Sequence, residues 1–211
     1  MYSVKYKIIL LNNRKSGSTS LRHILKEADN DVKKIDLTQD LTPIEKRNHF
    51  LKNSYKCHIN VNKLFEYFKI NNMNIKDYDI ITTIRDPIEK AISSYYYYKP
   101  DRNLKLFTEL NYDKKSKFYY DINTYILKGG YIGESILDFA FINGEKKVTH
   151  IFDINNNELI NEYFKSKNIN IKLKHKNISK KNNNIKINEI AENYIRKKFY
   201  YDFYLIKENK Y

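Results

Sequence analysis

The chain has little cysteine and no long apolar run, and each absence excludes a class of protein. Cys57 is the only cysteine in 211 residues, which excludes a disulfide framework or a cysteine-based metal cluster and favours a reducing compartment. No segment approaches the roughly 18 to 20 consecutive apolar residues of a membrane-spanning helix. The first residues lead into a strand pattern without a charged and apolar leader. We therefore expect a soluble, cytoplasmic protein with no membrane span.

Linkers and internal repeats are also missing from the sequence. No stretch rich in Pro and Gly divides the chain, and no segment repeats at a fixed period. A length of 211 residues suffices for one domain with a sizeable core. We therefore expect residues 1–211 to form a single domain.

Positive charge is what the chain has in excess. Lys and Arg number 39 against 25 Asp and Glu, a formal net charge of +14. Such a balance favours an anionic partner, whether a nucleotide, a sulfated sugar or a nucleic acid. The abundance of Lys, Asn, Ile and Tyr is equally what an AT-rich genome, viral or microbial, writes into any protein. The charge is thus consistent with an anionic ligand and does not identify one.

A strand, a loop of small residues and a helix follow one another near the start of the chain. Residues 4–11 form an apolar, β-prone run typical of a strand buried on both faces. The loop that follows reads Arg14, Lys15, Ser16, Gly17, Ser18, Thr19 and Ser20, and apolar residues then recur at helical spacing. This order gathers backbone N–H groups and the positive end of a helix around one point. It predicts a phosphate or sulfate site with mobile charge from Arg14 and Lys15, although an ordinary strand-to-helix turn is the alternative.

A second unit of the same kind begins with the buried strand pattern of residues 78–85. Asp86 is placed to cap the next helix, with Pro87 at its first position and Glu89 reaching back. Arg85, at the carboxyl end of the strand, either pairs with Asp86 or points into the same crevice as the first loop. The helical spacing assigns the packed stripe to Ile88, Ile92, Tyr95 and Tyr96 and leaves Lys90, Ser93 and Tyr97 off it.

The remaining patterns complete an α/β interpretation of the chain. We expect a third buried strand over residues 146–154, and helices over 42–53, 118–127, 135–142, 155–167 and 188–204. His150 falls inside that strand, where a structural role is the expected one. Strands alternating with helices predict an α/β domain with a central parallel sheet flanked by helices.

Three stretches of the chain resemble motifs of the sulfotransferases. Arg85-Asp86-Pro87, with Ser93 eight residues after the arginine and tyrosines directly behind it, is similar to their 3′-phosphate motif. The amino-acid sequence of this motif most resembles that of the glycosaminoglycan (uronosyl) 2-O-sulfotransferases. The K-S-G-S-T-S order of the first loop resembles the 5′-phosphosulfate loop of the same enzymes. Residues 55–59 resemble that family's Y-H-G-H stretch, in which His58 matches the second histidine.

The resemblance implies a P-loop nucleotide-hydrolase-like fold and a sulfuryl donor, 3′-phosphoadenosine 5′-phosphosulfate (PAPS), with PAP as the product. It implies that residues 14–20 hold the 5′-phosphosulfate, that Lys15 neutralises charge on the leaving oxygen and that His58 is the catalytic base. Arg85 and Ser93 would grip the 3′-phosphate, and Ser179 and Lys180 would add cofactor contacts from a late polar loop. The acceptor would be a hydroxyl, on a carbohydrate such as an anionic oligosaccharide, and no metal is required.

Three alternatives remain open at the level of sequence. A P-loop kinase of a small molecule would share the sheet, but its motif needs Lys after the second Gly, whereas Lys15 precedes Gly17. A non-catalytic basic protein that binds nucleotides or nucleic acid is the second, with nucleic acid the less favoured partner. A sulfotransferase-like protein without turnover is the third, because Lys56 and Cys57 stand where the family has His and Gly.

Overall fold

The computed structural model describes residues 1–35, 59–98, 121–173 and 185–208. The strands within these ranges are β1 (Tyr2–Ser3), β2 (Ile8–Leu10), β3 (Asp79–Ile84), β4 (Phe141–Ile142), β5 (Glu145–Lys146) and β6 (His150–Asp153). The helices are α1 (Ser18–Ala28), α2 (Val61–Ile70), α3 (Pro87–Tyr98), α4 (Ile122–Leu127), α5 (Ile136–Ala140), α6 (Asn157–Ser166), α7 (Glu189–Lys198) and α8 (Tyr200–Glu208). The predicted helix over 42–53 lies outside the described residues.

The central sheet has four strands in the order β1-β2-β3-β6. Strands β2, β3 and β6 are parallel, with Ile9 beside Ile80 and Thr82 beside Ile151. Strand β1 is antiparallel to β2, so the sheet is mixed and the prediction of a parallel sheet was wrong at this edge. The predicted first strand is also shorter than expected, because residues 4–7 form the turn that reverses the chain between β1 and β2.

Helices cover both faces of the sheet, as the alternation of side chains along its strands requires. Ile8 and Leu10 of β2 face one apolar cluster, and Ile9 and Leu11 face the other. The first cluster is closed by α1 and α6, and the second by α2, α5 and α8. The α/β architecture with a helix-flanked central sheet is therefore confirmed, with parallel strands buried on both sides.

The region between residues 135 and 146 differs from its prediction. A helix was expected over 135–142, closed by Asn143-Gly144, whereas α5 ends at Ala140 and Phe141–Ile142 pairs with Glu145–Lys146. Asn143 and Gly144 have φ angles of 52° and 79°, as a two-residue hairpin turn with two left-handed residues needs. The Asn-Gly pair is thus a hairpin signal here and not a helix end.

The single helix predicted over 188–204 is two helices in the structure. α7 ends at Lys198 and α8 begins at Tyr200, with Phe199 between them fully buried. Phe199 joins a third apolar cluster formed mainly by α3, α4 and α7. In the ranges that the structure describes, no helix combines the length and apolarity needed to cross a membrane.

Candidate anion-binding site

The loop between β2 and α1 has an unusual backbone conformation. Lys15 and Gly17 have positive φ angles of 59° and 75°, and Ser16 between them does not. A turn with left-handed residues can direct successive backbone N–H groups toward one concave side, the conformation of an anion-binding nest. The left-handed conformation costs a non-glycine residue about 1–2 kcal/mol, and such strain clusters at binding sites. The strained residue is the lysine that the sequence places in the site.

The start of α1 lacks the side chains that commonly offset the positive end of a helix. The N-cap residue is Gly17, which makes no side-chain cap, and the first turn contains no acidic residue. The dipole of an 11-residue helix is thus not offset by its first side chains. Together with the nest, this geometry suits a phosphate or sulfate group.

The serines of the loop bind the loop itself. The Ser18 hydroxyl donates to the Asn13 carbonyl at 3.1 Å and the Ser16 hydroxyl donates to the Arg14 carbonyl at 3.4 Å. Both residues and Ser20 are buried, whereas Thr19 is partly exposed. The serine hydroxyls therefore fix the loop conformation, and main-chain N–H groups are the natural ligands for an anion. The Ser20 N–H does not fit that role, because it donates to the Gly17 carbonyl at 3.0 Å.

Gly17 is required twice over, by its left-handed φ and by close packing. A Cβ at this position would overlap Cγ1 of Ile154 and lie 2.7 Å from its Cδ1. Gly144 also has a left-handed φ, 79°, but a Cβ added there would meet no atom within 4 Å. Comparing substitutions at the two glycines therefore distinguishes the cost of backbone strain from the cost of steric overlap.

Replacing Gly17 with alanine is expected to lower the free energy of unfolding by roughly 2–5 kcal/mol, the sum of strain and overpacking. Gly144→Ala, the matched control, should cost only the strain of about 1–2 kcal/mol. Urea denaturation of both variants measures the difference. Equal destabilisation by the two substitutions would contradict the close approach of Ile154 to the loop.

Arg14 does not supply the mobile charge that was predicted for it. Its side chain is 6% exposed, and its guanidinium carbon lies 5.3 Å from the centre of the Tyr131 ring. Arginine stacks well on aromatic faces because its guanidinium is planar and weakly hydrated. Arg14 is thus a fixed cation beneath the loop and not an exposed one beside it.

Arg85 joins the second strand-to-helix turn to the first. Its Nη1 donates to the Lys15 carbonyl at 3.3 Å, and its Nε and Nη2 both donate to Glu89 Oε2 at 3.0 Å. Asp86 instead caps α3 by accepting from the Glu89 amide at 2.9 Å. The cap prediction was right, but Arg85 pairs with Glu89 and not with Asp86. Among the described residues, three of the five guanidinium N–H groups are used in these bonds, and the other two are available to an anion.

One face of α3 connects Arg85 to Lys15. Glu89, Ser93 and Tyr97 are spaced four residues apart and so follow one another along the helix. Glu89 at one end holds Arg85, and Tyr97 at the other lies 4.1 Å from the Lys15 ammonium. Ser93 lies between them, one turn from each. The contacts therefore bring Arg85 to the Lys15 backbone at one edge of the sheet, and Ser93 lies on the turn of α3 between the two residues that hold Arg85 and Lys15.

Acidic residues adjoin this cationic edge. Asp153, at the carboxyl end of β6, has its pKa raised by burial and further by the charges of Glu89 and Asp86, although a hydrogen bond from the Asn155 amide opposes the shift. Asp153 lies beside Ile84 in the sheet, so these acids are on the Arg85 side of the site. The Glu89 carboxylate orients the guanidinium while reducing the net positive charge available to a ligand.

Two residues of this region were not predicted, Asn13 and Lys90. Lys90 was assigned to the open side of α3, but it is 1% exposed and the prediction was wrong. Its ammonium donates to Asn13 Oδ1 at 3.3 Å and also to the Glu134 carbonyl.

Several predicted site residues lie outside the described residues: His58, Ser179 and Lys180, together with Lys56 and Cys57. His150 is described, and it stacks on Phe152 at the start of β6, the end of the strand away from the loop. Within the described ranges, no group of three or more His, Cys, Asp or Glu side chains could hold a metal ion.

Comparison with known proteins gives no relative from which a role could be transferred. No protein-family model, no curated protein and no solved structure matches the chain.

Proposed function

We propose that this protein is a sulfotransferase that moves a sulfuryl group from PAPS to an acceptor hydroxyl. The observation that carries the proposal is the 3.3 Å hydrogen bond from Arg85 to the Lys15 carbonyl, which joins two strand-to-helix turns at one edge of the sheet. A nucleotide with phosphate groups at both its 3′ and 5′ positions needs two such anchors. Crevices at the carboxyl ends of parallel strands are where α/β proteins bind ligands.

The residues of the two turns fit the two ends of this nucleotide. Main-chain N–H groups of residues 17–19 would bind the 5′-phosphosulfate, for which the left-handed Gly17 and the start of α1 are suited. The two N–H groups of Arg85 not used by Glu89 and Lys15, with the Ser93 hydroxyl, would bind the 3′-phosphate. The buried Arg14 adds a fixed positive charge beneath the loop.

PAPS would supply the activated sulfuryl group, and the chain would position it. Lys15, held beside Tyr97, would neutralise negative charge on the bridging oxygen. His58 would accept the proton of the attacking hydroxyl, as the resemblance of its segment implies. Transfer of this kind passes through a loose transition state, so these residues act chiefly through position and charge. The +14 charge of the chain favours an anionic oligosaccharide as the molecule that carries the hydroxyl.

The proposal is tested by calorimetric titration of the protein with PAP, ATP and adenosine 5′-phosphate. PAP is expected to bind at least tenfold more tightly than adenosine 5′-phosphate, because only PAP engages both turns. An acceptor screen with PAPS carrying labelled sulfate would then identify the substrate.

The same titration separates the alternatives. Preference for ATP over PAP would contradict the proposal and favour a P-loop kinase. Tight, salt-sensitive binding of single-stranded RNA or DNA without any PAP binding would indicate a basic nucleic-acid-binding protein instead. Binding of PAP without sulfate transfer to any acceptor would favour a nucleotide-binding protein that has lost turnover.

A further inference from the structure

Lys90 is a buried charge that the proposed chemistry does not use. Its side chain extends from α3 into the interior, is 1% exposed, and ends 5.3 Å from the centre of the Phe199 ring. Removing an ammonium group from water is costly unless it is paired and hydrogen-bonded. A lysine buried at this position is therefore expected to have a role that an apolar side chain could not perform.

The contact between Lys90 and Asn13 links the ammonium to the anion loop. Asn13 Oδ1 accepts from Lys90, and Asn13 Nδ2 donates to the Thr83 carbonyl at 3.1 Å. The Asn13 carbonyl in turn accepts from the hydroxyl of Ser18, the first residue of α1. Lys90 thereby determines how the Asn13 amide is oriented, and Asn13 connects the end of β3 to both ends of the loop.

The surroundings of Lys90 are shaped to hold it. A Cβ at Gly133 would overlap Cε of Lys90 and lie 3.2 Å from its Cδ, and Gly133 has a φ of 100°. The neighbouring Glu134 carbonyl accepts a hydrogen bond from the ammonium. The segment before α5 therefore closes directly over the lysine stem.

Charged groups from several elements act on this ammonium. Burial lowers the pKa of Lys90 to about 8, while the carboxylates of Asp202 on α8 and Glu134 raise it and Lys198 on α7 lowers it. Asp202 is fully buried, accepts from the Ile136 amide at 2.9 Å, and has its pKa raised to about 6 by burial. Lys90 is thus cationic at neutral pH and loses its charge as the pH rises through about 8.

We propose that Lys90 is a positioning residue for the anion loop: through Asn13 it fixes the backbone from which the loop begins, and it places a buried positive charge behind that loop. Asp202 on the C-terminal helix acts as the counter-charge that keeps Lys90 protonated. The inference rests on the proposed function for its ligand, a phosphorylated adenine nucleotide. It assigns to Lys90 a role that neither the loop nor the Arg85–Ser93 pair performs.

The proposal predicts that the affinity for PAP decreases as the pH rises. An anion in the loop favours the protonated form of Lys90, so binding is tightest below the pKa of about 8 and weakens as pH rises through it. The phosphate groups of PAP are already ionised in this range, since their second pKa is near 6. A decline in affinity above pH 8 therefore reports the protein and not the ligand.

The experiment is calorimetric titration with PAP between about pH 6.5 and 9.5 for three proteins, the wild type, Lys90→Met and Asp202→Asn. Lys90→Met should bind roughly tenfold or more weakly at neutral pH, and its affinity should not fall above pH 8. Asp202→Asn keeps the size of the side chain and removes the counter-charge, so the decline seen in the wild type should move to lower pH. This second variant keeps the test informative if Lys90→Met does not fold. Wild-type affinity and an unaltered pH profile in both variants would overturn the proposal.

Failure of the proposed function gives a different result. If wild-type protein binds no PAP at any pH, the role of Lys90 is tested by measuring amide hydrogen exchange of residues 14–20 in the protein without ligand. Exchange roughly tenfold faster in Lys90→Met, at unchanged global stability, supports the positioning role even then. Equal exchange in the wild type and in both variants overturns it.

Discussion

Replacing Arg85 with alanine is expected to weaken PAP binding by roughly 10- to 100-fold, the value of one or two hydrogen bonds to a charged group. The physical reason is the geometry of its guanidinium, which is held by Glu89 and the Lys15 carbonyl with two N–H groups left over. Calorimetric titration with PAP and with adenosine 5′-phosphate measures the effect. The loss should appear for PAP and be small for adenosine 5′-phosphate, which has no 3′-phosphate.

Arg196 provides a matched control for that measurement. It also pairs with a glutamate four residues away, Glu192, at 2.7 Å, but on the exposed surface of α7. Exposed pairs of this kind contribute little to stability. Arg196→Ala should leave PAP binding unchanged, and equal losses in Arg85→Ala and Arg196→Ala would contradict a specific 3′-phosphate contact.

The second large effect is expected for Lys15. Lys15→Ala should lower the turnover of sulfate transfer by about 100-fold or more, because it removes the charge that stabilises the leaving oxygen. PAP affinity should fall much less, since the main-chain N–H groups of the loop remain. Steady-state transfer of labelled sulfate and a PAP titration on the same protein separate turnover from binding.

Lys7 is the control for Lys15 because the two residues share their local features. Both have a left-handed backbone, with φ angles of 54° and 59°, and both hold the ammonium over a tyrosine ring, Tyr78 or Tyr97. Lys7 precedes β2 and Lys15 follows it, so they lie at opposite ends of the strand. If Lys7→Ala reduces turnover as much as Lys15→Ala, the effect belongs to strain or surface charge and not to the site.

Local patterns in the sequence predicted the strands, turns and helices that position the residues of the site. The cap of α3 depends on a hydrogen bond between residues three apart, Asp86 and Glu89, so the sequence pattern contains all that is needed. The loop was recognised because a β-prone run, small residues and helical spacing follow in order. Its strained conformation at Lys15 was not foreseen, because a positive φ at lysine is not encoded in any local preference.

The contacts of Lys90 behind the loop could not be predicted, because they join residues that are distant in the sequence. Asn13 and Lys90 are 77 residues apart, and nothing local to either indicates the other. Helical spacing also favours large apolar side chains for the packed face, so a lysine on α3 is expected to be exposed. The structure instead buries Lys90 next to Gly133, whose missing side chain makes the space.

Two errors of element type have physical causes as well. Asn143-Gly144 can end a helix or turn a hairpin, and the choice depends on whether the flanking residues find a strand partner, as Phe141–Ile142 and Glu145–Lys146 do. The helix pattern over 188–204 continues across Phe199, but burial of that ring in the cluster with α3 and α4 interrupts it. Tertiary packing overrode local periodicity at both places.

The most direct test of the account is a crystal structure of the protein with PAP bound. We expect the 5′-phosphate against the main-chain N–H groups of residues 17–19 and the 3′-phosphate within hydrogen-bond distance of both Arg85 and Ser93. The nucleotide should span the edge where Arg85 meets the Lys15 carbonyl. A nucleotide bound elsewhere, or one that contacts the loop while its 3′-phosphate faces solvent away from Arg85, would contradict it.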